Sequence, residues 1–364
     1  MTETITPADF RRGLLAHVAG DAAAAEAHYR RALAAPALEV LASRHLVALL
    51  DEQRRWADAL AECQAASARH PDDPELESQL GLRLLAAGRY REGWARYESR
   101  ARTRAGATRP QLALPEWDGA PVRSLSVWDE QGAGDCLMFA RFLPWLRSRG
   151  VERVTLVCRP ELAPLMATLD GVEVVPAAGQ IRMPTTEAWA MLGSLPYRLG
   201  VELADLPGPT PYLSAPPDRA SKWRGRVSPS ARIGVAPRTR PIHEWPARAL
   251  PPAAAAFLLS LPGALPISPE EAGAPGGDFA DTAAVVDQLQ LVISADTAAA
   301  HLAGAMGKPC WLLLPHAADW RWLHDRTDSP WYPSMRIYRQ PAPGDWASVL
   351  RAVAQDIPRF FGQA

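Results

Sequence analysis

"LQLVISADTAAAHLAGAMGKPCWLLLP", residues 289–315, holds a strand, a helix and a second strand in one continuous stretch. The apolar run 289–294 predicts a strand, Thr297 stands where an N-cap belongs, and small residues carry a helix over 297–306. Gly307 fits the position just past a helix end, and 310–315 predicts the second strand. The first-turn N–H groups of such a helix, from Thr297 and Ala298 onward, have no intrahelical acceptor, and the helix dipole is positive there. That end is therefore a site for phosphate or diphosphate. Thr297 and His301 are four residues apart and share a face, so a hydroxyl and an imidazole could reach one ligand. The same spacing also fits a plain cap at Thr297, a satisfied helix residue at His301 and a solvated loop charge at Lys308.

Outward from this stretch the chain keeps alternating. Before it come strand 232–236, a helix at about 247–260, a short strand near 264–267 and helix 281–288. Further upstream, beyond the Pro-rich residues 207–217, come strand 124–128, helix 135–148, strand 153–158, helix 160–168 and strand 172–175. Alternation with short turns predicts parallel sheets covered by helices. Two successive α/β halves imply a crevice, and ligands of such folds collect at the carboxyl ends of the strands.

The first hundred residues follow another rule. Steps of 34 link Gly13, Val47 and Gly81, then Ala25, Ala59 and Gly93, then Tyr29, Cys63 and Tyr97. Small residues recur where two helices must approach, and an aromatic or Cys recurs one turn later. The first unit fits least well, with Arg12 at an expected leucine position. Helix pairs of this kind bury their apolar faces only by stacking on neighbours. The Pro-containing stretch "TRAGATRPQLALPEWDGAPV" that follows reads as a linker.

Composition excludes several functions. With 48% hydrophobic and 22% charged residues the chain reads as a soluble globular protein, and a net charge of −1 provides no field to gather nucleic acid. The start, MTETITPADFRRG, lacks the pattern of a secretory signal, and the Ala- and Leu-rich stretch 249–267 is broken by Pro251, Pro252, Pro262 and Pro266. No transmembrane segment and a cytoplasmic location are expected. Cys63, Cys136, Cys158 and Cys310 show no C-x-x-C spacing, so buried thiols are expected rather than disulfides or a metal site.

At residues 131–139, "QGAGDCLMF", Gly132 and Gly134 allow a sharp turn and close approach to a ligand, with Asp135 at the start of the next helix. A dinucleotide fingerprint fits badly, since Leu137 stands in place of the third glycine and no acid closes the second strand. A carboxylate on a tight turn at the crevice suits a general base, and a helix-capping carboxylate is the competing role.

Taken together, "EQGAGDCLMFARFLPWL", "GSLPYRLG", "TPYLSAP", "DFADTAAVVDQLQLVISADTAAAHLAGAMGKPCWLLLP", "DWRWLHDRTDSPWYPSMRIYRQ" and "GDW" carry a resemblance. In this order, behind repeats similar to tetratricopeptide repeats, they resemble bacterial glycosyltransferases related to the ADP-heptose:lipopolysaccharide heptosyltransferases of glycosyltransferase family 9. The resemblance spans nearly the whole chain and is strongest over 278–346. It implies an α/β protein of GT-B type, two Rossmann-like domains preceded by an all-α tetratricopeptide-repeat domain. The corresponding boundaries are 1–103 for the repeats, 104–122 for a linker, 123–228 for an acceptor domain and 229–364 for a donor domain ending in a helix.

The implied reaction is inverting transfer from a nucleotide-diphosphate sugar, the donor substrate, with no cofactor and no metal. The absence of a D-x-D motif agrees with that. Asp135 is then the candidate base, and Gly132, Gly134, Asp296, Thr297, Ala298 and His301 border the donor, with Lys308 a cation for the leaving diphosphate. The repeats suggest recruitment of a protein, peptide or glycan acceptor, or of a protein partner.

The sequence also departs from these relatives. After strand 232–236 it reads Pro237-Arg-Thr-Arg240, and the segment 263–277 is reduced to a Pro- and Gly-rich string. Arg238 and Arg240 could pair with diphosphate directly, or they could be surface charges of a degenerate domain in a non-catalytic scaffold. Trp320, Trp322 and Trp331 could cover the donor at the cleft or pack the domain edge, while Asp319 and Arg321 are expected to pair with each other.

Overall fold

A computed structural model describes residues 7–104, 109–183, 185–237, 249–267 and 278–362. They fall into two compact units, the first within 1–107 together with Asp319–His324, the second comprising the remainder.

The first unit is helical: α1 (Pro7–Val18), α2 (Ala22–Ala32), α3 (Glu39–Glu52), α4 (Trp56–Arg69), α5 (Pro74–Ala86) and α6 (Tyr90–Tyr97), each packed on the next. Local signals set the ends. At α5, Asp73 accepts from the Glu75 and Leu76 N–H groups at 2.9 and 3.1 Å, and Pro74 fills the first position, where no N–H is needed. The 34-residue step is legible in the packing. Tyr29, Cys63 and Tyr97 are buried, and a Cβ on Gly81 would lie 2.7 Å from the Tyr97 backbone nitrogen.

Asp319–His324 belong to this helical unit, which corrects their expected place in the donor domain. The Trp320 ring lies 5.5 Å from Trp94 and 6.2 Å from Tyr97, and His324 stacks on Trp56 at 4.0 Å with an 8° interplanar angle. Trp320 and Trp322 are buried, so aromatic packing, not coverage of a cleft, accounts for them. Asp319 and Arg321 do pair, at 2.7 Å.

The second unit is α/β with two parallel sheets. The first sheet has β1 (Ser124–Trp128), β2 (Arg153–Cys158), β3 (Val172–Pro176) and β4 (Ala188–Met191) in the order β3-β2-β1-β4, with helices α7 (Ala133–Phe139), α8 (Ala163–Met166) and α9 (Leu195–Leu199). After α10 (Pro217–Trp223), the second sheet has β5 (Ile233–Ala236), β6 (Ala264–Pro266), β7 (Leu291–Ala295), β8 (Cys310–Leu314) and β9 (Met335–Arg339) in the order β6-β5-β7-β8-β9. Its helices are α11 (Pro252–Leu259), α12 (Phe279–Asp287), α13 (Ala298–Ala305) and α14 (Trp346–Phe360). β7 and β8 are buried along their whole length, as strands covered on both faces must be. The core there joins Ile233, Leu258, Ile293, Leu313, Trp346 and Val353.

Three helices are shorter than expected, α11 among them, which spans Pro252–Leu259 against an expected 247–260. The α-helix expected over 135–148 ends at Phe139 and continues as 3-10 turns, the second opening at Pro144, which has no N–H to donate. That expected over 160–168 spans only Ala163–Met166. Among the described residues no helix is long and apolar enough to cross a membrane.

Candidate functional site

β1 is flanked by β2 and β4, and β7 by β5 and β8, so the turns leaving their carboxyl ends are held between neighbouring strands. The turn after β1 is anchored from both sides. Arg159, just past β2, donates from Nε to Asp129 Oδ2 at 2.8 Å and from Nη2 to the Gln131 carbonyl at 2.6 Å. Buried Glu130 accepts from the Gly193 N–H, just past β4, at 2.9 Å. The left-handed residue of this turn is Gln131, at φ +61°, whereas Gly132 has φ −86°. Backbone freedom at the glycines is therefore not what makes the turn.

Gly134 serves close approach instead. A Cβ there would lie 3.0 Å from His301 Cδ2 and 3.5 Å from Ala298 Cα. The first turn of α7 thus rests on the first turn of α13. Asp135, the next residue, is partly exposed, and its Oδ2 accepts from the Gly132 N–H at 3.0 Å. The carboxylate is thereby oriented by the backbone of its own turn, as in the capping role foreseen for it.

On the other side Thr297 is the N-cap of α13. Its Oγ1 accepts from the Ala299 N–H at 3.2 Å and lies 3.1 Å from Ser294 Oγ. Thr297 and Ala298 are partly exposed, and Asp296 is buried. The structure thus brings Gly132, Gly134, Asp135, Asp296, Thr297, Ala298 and His301 into one neighbourhood.

Two expectations need correction. His301 does not share an open face with Thr297: it is 4% exposed, and its Nδ1 lies 3.0 Å from the Tyr332 hydroxyl. Lys308 precedes β8, so it sits at the amino edge of the sheet, about one strand length from Thr297. There its Nζ is 3.1 Å from Asp287 Oδ1 and 2.5 Å from the Asp287 carbonyl, at the end of α12. Arg238 and Arg240 lie outside the described residues.

Sequence reasoning missed Arg141. It is 2% exposed, and it donates to the carbonyls of Met138 at 3.1 Å, Trp331 at 2.6 Å and Pro207 at 3.0 Å, and to the Tyr212 hydroxyl at 3.2 Å. Its Cζ lies 4.7 Å from the Tyr332 ring centroid, 5.0 Å from that of Tyr212 and 5.2 Å from that of Trp331. Carbonyls and aromatic faces thus replace the water that a guanidinium loses on burial. Trp331 is buried in this cluster against Phe139 and Phe142, so it does not line a cleft. The signal was available: one Arg inside "CLMFARFLPWL" is a charge at a core position.

Among the described residues no group of three or more His, Cys, Asp or Glu side chains is placed to hold a metal ion. The four cysteines are buried thiols, and burial pushes Cys158 and Cys310 up to about 12.

No family model matches the chain. Protein FlbA of Caulobacter vibrioides is 29% identical over 351 residues, covering 83% of this chain and 58% of the relative, so the chain spans little more than half of that protein's length. Among solved structures, a glycosyl transferase family 9 protein from Veillonella parvula is similar over 66% of this chain and 91% of its own, at 11% identity and a TM-score of 0.46. The ADP-heptose lipopolysaccharide heptosyltransferase II of E. coli is similar over 64% of this chain and 99% of its own, at 12% identity and a TM-score of 0.43.

Proposed function

We propose that this chain is a GT-B glycosyltransferase that moves a sugar from a nucleotide-diphosphate donor to an acceptor hydroxyl, with inversion and without a metal ion or cofactor. One observation carries the reading. At Gly134 the turn bearing Asp135 rests on the first turn of α13, with both turns at carboxyl ends of parallel strands. A group able to take a proton thereby stands beside N–H groups able to take a diphosphate.

In the transfer, the acceptor oxygen bonds to the anomeric carbon as the bond to the diphosphate oxygen breaks. Asp135 takes the acceptor proton, and the charge developing on the leaving group falls on the first turn of α13 at Thr297 and Ala298. His301 acts from inside the fold, and Lys308 has no part. The 34-residue packing step supports the tetratricopeptide reading of the helical unit, whose role is to recruit a protein, peptide or glycan acceptor in the cytoplasm.

A second reading, a scaffold with a degenerate transferase domain, is favoured by one observation. The cation expected at the diphosphate is not there, since Lys308 is bound to Asp287, and the His301 imidazole is buried against Tyr332. Release of nucleoside diphosphate from a panel of ADP-, GDP-, UDP- and dTDP-sugars separates the two. Transfer predicts turnover of one donor class and a loss of roughly 10²–10⁴-fold in Asp135→Asn, which preserves the acceptor atom for Gly132 N–H. No release from any donor would establish the scaffold.

A further inference from the structure

We propose that Arg141 is a latch: it ties the two sheet-bearing halves of the α/β unit together behind α7 and α13. The acid turn and the diphosphate cradle then form one preassembled site, and the halves neither part nor close around a ligand. The inference rests on the transferase reading for its use, but not for its geometry.

α7 and α13 are joined at both ends. Their first turns meet where Gly134 rests on Ala298 and His301. Their last turns are bridged by Tyr212, whose hydroxyl donates to the Leu137 carbonyl at 2.9 Å and whose N–H donates to the Ala305 carbonyl at 3.0 Å. The Leu213 N–H donates to that same Ala305 carbonyl at 3.2 Å. A helix end leaves such carbonyls without an intrahelical donor, so the bridge satisfies groups that otherwise turn to water.

Arg141 stands in the 3-10 turn just past α7 and carries this bridge to the second half. It donates to the Met138 carbonyl on its own side and to the Pro207 carbonyl and Tyr212 hydroxyl of the segment between the halves. Its bond to the Trp331 carbonyl, ahead of β9, measures 2.6 Å. Three stretches of chain thus share one buried guanidinium. Around it Trp331 packs edge-on against Phe139 and Phe142, with ring centroids 6.4 Å away in each case, and all three rings are buried. Apolar contact alone is non-directional, whereas the rigid fork of a guanidinium sets a register. Parting the halves here breaks the charge-assisted bond to Trp331 and exposes three buried rings together.

A second tie, from the Phe279 N–H of α12 to the Glu161 carbonyl at 3.1 Å, holds the halves at a separate place. Access does not require them to part. Asp135, Thr297 and Ala298 are partly exposed with the helices already joined.

Pulsed electron–electron distance measurement tests the latch on the full chain, spin-labelled at Asp170→Cys in the first half and Arg359→Cys in the second. Both positions are exposed, and the four native cysteines are buried. The labelled parent is expected to give one narrow distance, unmoved by ADP, GDP, UDP or dTDP. Arg141→Met should add a second, longer distance. Tyr212→Phe keeps the ring and removes the hydroxyl that serves both Leu137 and Arg141, so it should add the same longer distance at a lower population. It decides the matter if Arg141→Met does not fold. Two distances in the parent, a shift on adding any of the four nucleotides, or a single unchanged distance in the folded variants would overturn the proposal. Because the distances need no turnover, absence of nucleoside-diphosphate release would sink the transferase reading alone, and a second distance in the parent would sink this one alone.

Discussion

The two turns that meet at Gly134 are built from opposite materials. The one after β1 is clamped from outside, by Arg159 beyond β2 and by Gly193 beyond β4, and only its Asp135 carboxylate is held from within, by the Gly132 N–H. That after β7 is fixed from within, by the hydroxyls of Ser294 and Thr297 on their own segment. A turn clamped by its neighbours can hold a carboxylate partly exposed at a set angle. A self-capped turn needs no such help and presents its helix N-terminus. The pairing of an acid on an externally clamped turn with an internally held anion cradle is what makes this place suited to chemistry, and each half can be broken separately.

The largest effect is expected where the halves touch. Gly134→Val inserts atoms where only 3.0 Å separates a Cβ from His301, and it should cost about 1–3 kcal/mol in chemical denaturation and abolish any nucleotide response. A variant as stable as wild type would mean that the turns do not pack as described. Next, Arg159→Met removes the clamp of the first turn only. About 1.5 kcal/mol of stability should go, along with donor turnover, while nucleotide affinity stays within a few-fold. Equal losses of turnover and affinity would deny the separation of roles.

Thr297→Val attacks the second turn alone, with an expected cost of about 1 kcal/mol and weakened nucleotide binding. Smallest is Lys308→Met, which severs a partly exposed pair with Asp287. It should shift stability by less than about 0.5 kcal/mol and leave nucleotide affinity within about twofold. A tenfold loss of affinity there would place Lys308 at the site after all.

The parts of this molecule legible in the sequence are those governed by near neighbours. Strands such as Leu291–Ala295 and Cys310–Leu314 declare themselves because burial on both faces demands unbroken apolar runs. Thr297 declares itself because a cap bonds two residues onward. β9 does not declare itself because Met335–Arg339 mixes buried Met335, Ile337 and Tyr338 with charged residues. The inward turn of His301 depends on Tyr332, 31 positions away, and the partners of Arg141 lie up to 190 positions along the chain. No local pattern encodes such separations. Lys308 differs, since its place just before a parallel strand already puts it at the amino edge, away from Thr297. There topology was available and proximity in sequence misled.

The most direct test of the central claim is thermal stabilisation of the full chain by ADP, GDP, UDP and dTDP, comparing wild type with Asp135→Ala and Thr297→Trp. A nucleotide at ~100 times its dissociation constant adds about 2.7 kcal/mol. The account predicts that one nucleotide raises the Tm of wild type and Asp135→Ala and leaves Thr297→Trp unmoved. A response in Thr297→Trp equal to wild type, or none in any of the three, would contradict it.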